Sequence, residues 1–98
     1  MQFGRVFGFI TLTSESERWL TVMLDTGRSL RTVRDEAINP ALPSHDPAWL
    51  ADQMVQETIG NELALEGWEV IGEDSIAGER EGGHRAVARS SAWIVRSL

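Results

Sequence analysis

Apolar and polar positions change their period twice along the chain. Residues 3–12 (FGRVFGFITL) are rich in aromatic and β-branched types and read as a strand. Residues 17–25 (ERWLTVMLD) alternate, with Leu20, Val22 and Leu24 facing one way and Trp19, Thr21 and Met23 the other. Residues 29–34 (SLRTVR) make a shorter, less apolar strand that suits a sheet edge. Residues 35–46 hold two prolines and read as a loop. From about Pro47 to Glu66 the period becomes helical. Leu50, Ala51, Met54, Val55, Ile59 and Leu65 gather on one broad face, with Leu63 at its edge. Residues 68–73 (WEVIGE) and 86–96 (AVARSSAWIVR) return to strand, joined by a polar, Gly-rich hairpin loop over 74–84.

The helix carries its own boundary signals. The Asp46 side chain can accept from the free amides of the first turn, and Pro47 fits the first helical position because that N–H is unpaired anyway. Gly67 suits the left-handed residue that ends the helix. Gly60 lies inside, at a cost of about 1 kcal/mol relative to Ala, and signals a bend or a close contact. Gly4 and Gly8 share one face of the first strand, so a helix or neighbouring strand is expected to pack closely over them. The predicted order is β-β-β-α-β-β. This is a single α+β domain over residues 1–98, an antiparallel sheet of about five strands with one helix packed on one face.

Both faces of the first strand are apolar: Phe3, Phe7 and Phe9 on one, Val6, Ile10 and Leu12 on the other. One helix covers one face. If Leu20, Val22 and Leu24 point to the core, Trp19 and Met23 do not. Phe7, Phe9, Trp19, Met23 and Trp93 are therefore the interface candidates, and a second copy of the chain is the expected cover.

The stretch Asn61-Glu62-Leu63-Ala64-Leu65-Glu66-Gly67-Trp68-Glu69-Val70-Ile71 closes the helix and opens a strand. It resembles the signature L-N-x-L-G-x-x-G-W-E-L-V of a family of short bacterial and phage proteins described only as a domain of unknown function. The resemblance implies an opening strand, here Phe3 to Leu12. It also implies a closing aliphatic-basic run, here Trp93-Ile94-Val95-Arg96. The chain departs from the signature at Gly60, where the family prefers Leu, and at Ala64, where it prefers Gly. The resemblance covers about a tenth of the chain and implies no activity. Physically, Gly67 permits the sharp exit, Trp68 folds back across the helix end and the sheet, and Glu69 faces solvent.

Composition narrows the chemistry. The 98 residues include no Cys, which excludes disulfides, thiolate metal sites and a Cys nucleophile. No apolar run approaches the roughly 18–20 residues of a membrane span, so no membrane partner is expected. The first residues lack a signal-peptide pattern, and a cytoplasmic location is the expectation. The net charge of -6 disfavours direct, nonspecific nucleic-acid binding. That charge is unevenly spread. Residues 1–34 hold five Arg and three acids, residues 35–83 twelve acids and one Arg, residues 84–98 three Arg and no acid. An Arg-bearing sheet and an acidic helix side follow, and Arg5, Arg31, Arg85 and Arg89 are the candidates for holding an anionic ligand.

Catalytic patterns are weak. His45 and His84 are the two histidines. A two-His site completed by Asp46, Asp74 or Glu73 lacks HxH or HxxxH spacing, and solvated loop histidines are the reading preferred. A Ser-His-Asp set has no nucleophile elbow. The 78–83 run has glycines but two acids, which would repel phosphate. No cofactor, metal or catalytic residue is therefore assigned. The expected function is that of a small non-enzymatic binding protein, a homo-oligomer with a protein partner. A phage or mobile-element accessory protein acting on a host protein is its narrower form. The alternative is a binder of a small anionic ligand such as a nucleotide, held by Arg and Trp at a subunit junction.

Overall fold

The computed structural model describes residues 1–12, 17–38, 46–75, 78–82 and 85–97, and the side chains of residues 12, 75, 78–82 and 85–87 lie outside that description. The strands are β1 (Gln2–Leu12), β2 (Arg18–Asp25), β3 (Leu30–Ile38), β4 (Trp68–Ser75), β5 (Gly78–Gly82), β6 (Arg85–Arg89) and β7 (Ala92–Ser97). The helix α1 spans Pro47–Thr58, continued by a π turn at Ile59–Leu63 and a 3-10 turn at Ala64–Glu66. The class is α+β, with every strand in one antiparallel sheet.

The seven described strands lie on five lines, with β1 at the centre. Along one edge β1 pairs with β2 from Arg5 to Leu12. Along the other, Gln2–Val6 pairs with β7 and Phe9–Thr11 with β6. Thus the fifth expected strand is one line broken at Ser90-Ser91. The break is hydrogen-bonded throughout. Ser90 N–H donates to the Gly8 carbonyl at 2.8 Å, and Gly8 N–H donates to the Ser90 hydroxyl oxygen at 2.8 Å. A hydroxyl replaces a ladder carbonyl there, so no buried amide is orphaned. β4 flanks β7 and β5 flanks β6, which leaves β3 as the outer strand on the opposite side.

Two segments expected to be loops are strand. Residues 35–38 continue β3, because β2 templates them and Ile38 reaches the core; the prolines begin only at Pro40. Residues 78–82 form β5, because backbone pairing with β6 needs no apolar side chains. The third strand also carries a bulge opposite Val22 and Met23. Val33 and Arg34 are consecutive, yet Val33 packs on the core and Arg34 donates to Thr58 of α1.

The helix starts where Asp46 accepts from Ala48 N–H at 3.1 Å, with Pro47 at the first position. It lies across the face formed by Val6, Gly8, Ile10, Leu20, Val22, Leu24 and Val95. Ala48, Ala51, Val55, Ile59 and Leu63 complete that core from the helix side. Gly8 sets how close the helix comes: a Cβ there would lie 2.5 Å from Val55 Cγ2. One turn earlier, Asp52 ties the helix to the broken strand line, its Oδ1 accepting from Ser91 N–H and Trp93 Nε1, both at 3.0 Å. The expected close packing over Gly8 is therefore found, and the packing element is α1.

The helix ends differently from its predicted phase. The π turn inserts a residue and rotates all that follows. Leu63, placed at the edge of the apolar face by simple periodicity, is fully buried, while Leu65 is 86% exposed. Gly60 lies in this turn with open space around its Cβ position, so it marks the bend rather than a close contact. Gly67 then takes φ 92° and releases the chain, and Trp68 buries against the core.

Leu63→Ala should cost about 2–5 kcal/mol and Leu65→Ala less than about 0.5 kcal/mol. Urea unfolding of the two variants checks the π-turn phase, and the simple helical phase predicts the reverse order. Gly8→Ala should destabilise by about 1–3 kcal/mol through overpacking against Val55, with no such loss at Gly60→Ala.

Candidate interaction surface

Strand alternation builds the face turned away from the helix. On β1 it presents Phe3, Arg5, Phe7, Phe9 and Thr11, the positions between the buried Gly4, Val6, Gly8 and Ile10. The β2 partners follow from register: Asp25 opposite Arg5, Met23 opposite Phe7, Thr21 opposite Phe9, Trp19 opposite Thr11. On the other side, Ile94 stands opposite Arg5, Arg96 opposite Phe3 and Arg89 opposite Phe9. Phe7, Phe9, Trp19, Met23 and Ile94 are half-buried, and Phe3 is 54% exposed. Directly opposed pairs such as Phe7 and Met23 pack across the strands. Four of the five interface candidates thus share one apolar strip.

Several polar groups at the edges of the strip are paired. Asp35 of β3 accepts from Trp19 Nε1 and, at 3.2 Å, from Thr21 Oγ1. This leaves the Trp19 ring as apolar surface with its one donor satisfied. Arg5 pairs with Asp74 at 2.5 Å and Arg96 with Glu69 at 2.5 Å. All four side chains are well exposed, so these pairs add little stability and instead form a hydrated rim. A shallow hollow of about 310 Å3 opens at one end, lined by Phe3, Arg5, Asp25, Thr26 and Ile94 among others. An apolar centre with a charged rim is the ordinary anatomy of a protein contact surface.

Trp93, the fifth interface candidate, stands on the helix side. It packs against the core and donates to Asp52, and its register partner Val6 faces the same way. The Arg candidates divide. Arg5 and Arg89 share the open face, and Arg89 is exposed with no partner among the described residues. Arg31 is on the helix side, with Nη1 and Nη2 donating to the two Glu66 oxygens at 2.7 and 2.6 Å. The Arg85 side chain lies outside the described residues, as do His45 and His84. Among the described residues the Arg candidates do not converge, and no three metal-binding side chains cluster. No described helix is long and apolar enough to cross a membrane.

A second hollow, about 410 Å3, separates β3 from the end of the helix. Its cation, Arg34, is already engaged: it donates to Thr58 Oγ1 at 3.3 Å and Glu36 Oε1 at 2.6 Å, with Glu57 at 3.6 Å. The role of Asp35 was hidden in the sequence, because residues 35–46 read as a loop. The place of Ile94 was legible from alternation with Trp93 and Val95.

No protein-family model, no curated protein and no solved structure matches the chain.

The hydrogen bonds from Arg31 hold the Glu66 carboxyl below the usual carboxylate range, and the guanidinium rises in turn. A carboxylate lowered on folding stabilises above its unfolded pKa and loses that contribution as pH falls through the folded value. Glu66→Gln should therefore melt slightly below the unaltered chain at neutral pH, and the gap should close below the ordinary carboxylate range. Melting curves from pH 7 to pH 2 read this directly, and a gap that persists in acid contradicts it.

Proposed function

We propose that this protein is a non-enzymatic interaction module of the cytoplasm, self-associating, whose open sheet face is covered by a protein partner. The observation that carries the reading is the strip of Phe3, Phe7, Phe9, Trp19, Met23 and Ile94, which no described element of the chain covers. A paired charged rim supports it, since such a rim orients a partner without adding much affinity. A phage or mobile-element accessory protein seated on a host protein is the specific form, supported by the acidic helix side. The ligand reading draws on Arg31 and Trp93, which lie on the opposite face from Arg5 and Arg89.

A photo-crosslinking residue at Phe9 tests the surface, with the same residue at the exposed Gln53 of α1 as control. Phe9 should give discrete covalent adducts of one size in cells, and Gln53 should not. Equal labelling from both positions, or none from either, rejects the open face as the working surface.

A further inference from the structure

The outer strand β3 is nine residues long, and eight of them are exposed or half-exposed. Outer strands carry a row of unpaired backbone groups and are the natural place for a second chain to add. The two outer lines differ in this respect. β4 is interrupted by two register shifts, near Ile71 and near Asp74. β3 has one, at Val33 and Arg34, in the middle of the strand.

The sequence of β3 is self-complementary about that midpoint. Its first half carries Arg31 and Arg34, its second half Asp35 and Glu36. In an antiparallel two-fold pairing centred between Val33 and Arg34, Arg31 meets Glu36 of the partner subunit. Thr32 meets the partner's Asp35, and Leu30 meets the partner's Ala37. Opposed residues in an antiparallel pair must share a face. In a regular strand this register would fail, because residues an odd number apart point to opposite faces. The bulge resets the alternation. Arg31 and Glu36 both lie on the helix side, opposite Leu24 and Leu20 of β2. Thr32, Asp35, Leu30 and Ala37 all lie on the open side, opposite Met23, Thr21, Asp25 and Trp19.

We infer that two copies of this chain pair through β3 in this register, forming one continuous sheet with the two helices on a common face. The inference rests on the reading of self-association and names its contact. Each junction holds two Arg31–Glu36 contacts of opposite charge. The bonds within each chain use Nη1 and Nη2 of Arg31 and Oε1 of Glu36, so the meeting atoms are Arg31 Nε and Glu36 Oε2. Arg34, at the axis, is turned to Glu36 and Thr58, which limits repulsion between the two copies. Leu30, 61% exposed in the single chain, gains an apolar neighbour in the partner's Ala37. The open aromatic faces then lie side by side and stay free for another protein.

Charge exchange between two variants tests the register. Arg31→Glu alone and Glu36→Arg alone each set like charges across both contacts, and each should weaken dimerisation at least about tenfold in sedimentation velocity. An equimolar mixture of the two restores both contacts and should recover the dimer as a heterodimer. The damage each variant does inside its own chain is not repaired by mixing, so recovery reports the junction alone. Should either variant unfold, hydrogen exchange on the unaltered chain gives a second readout. Amides of 30–38 should gain protection as concentration rises, and those of 68–75 should not. A dimer that survives in both single variants, or protection that ignores concentration, overturns the β3 contact and leaves self-association standing. A chain that stays monomeric at millimolar concentration overturns both.

Discussion

The contact of Val55 with the bare backbone of Gly8 holds α1 against the centre of the sheet at a distance that a Cβ would prohibit. Asp52, almost one turn earlier, fastens the same stretch of helix to Ser91 and Trp93. Apolar contact and charged hydrogen bonds thus act within one turn. The apolar part supplies most of the burial energy, since Val55, Val6, Val22 and Val95 are all fully buried. The Asp52 bonds add direction, and they span the point where β6 gives way to β7. Both sites lie beside the line that breaks at Ser90, where a hydroxyl serves the Gly8 amide. The helix and the break in the strand are one construction.

Seating the helix there decides which face of the sheet stays open. A single helix of this length covers one side of the sheet, and the chain has placed three phenylalanines on the other. Strand neighbours alone leave these rings half-covered or, at Phe3, more than half exposed. Of the exposed charges around them, Arg5 and Arg96 are paired with Asp74 and Glu69, and Arg89 beside Phe9 has no partner among the described residues. The centre of this face is therefore an apolar strip, with charged side chains along its edges. The net charge of -6 describes an acidic molecule. In the fold, Arg31, Arg34 and Arg96 are each tied to an acid of the middle segment, which softens that contrast.

How much of this was legible depended on range. The alternation of Leu20, Val22 and Leu24 against Trp19 and Met23 identified both faces of β2 correctly. Asp46, Pro47 and Gly67 marked both helix ends. These signals act within a few residues and survive folding unchanged. The open-face strip was legible for the same reason, from alternation in β1 and β2. Trp93 shares its face with Val95 by alternation, and the buried Val95 and the bond to Asp52 put that face under the helix, away from the strip. Arg31 likewise looked like a companion of Arg5, whereas the bend at the helix end delivers Glu66 to it. Asp35 was read as loop, because nothing local shows that β2 extends β3 as far as Ile38.

By itself the sequence determined the class of fold, the helix limits, the core face of the first two strands and the surplus of apolar surface. Those follow from period, capping and composition, which are properties of neighbouring residues. The tertiary structure alone decided the π turn that buries Leu63 and exposes Leu65, the bulge that puts Val33 and Arg34 on one side, and the break at Ser90. Each of these exchanges a regular backbone bond for one made to a distant part of the chain or for a better seat in the core. Such an exchange has no local signal, because its partner lies tens of residues away.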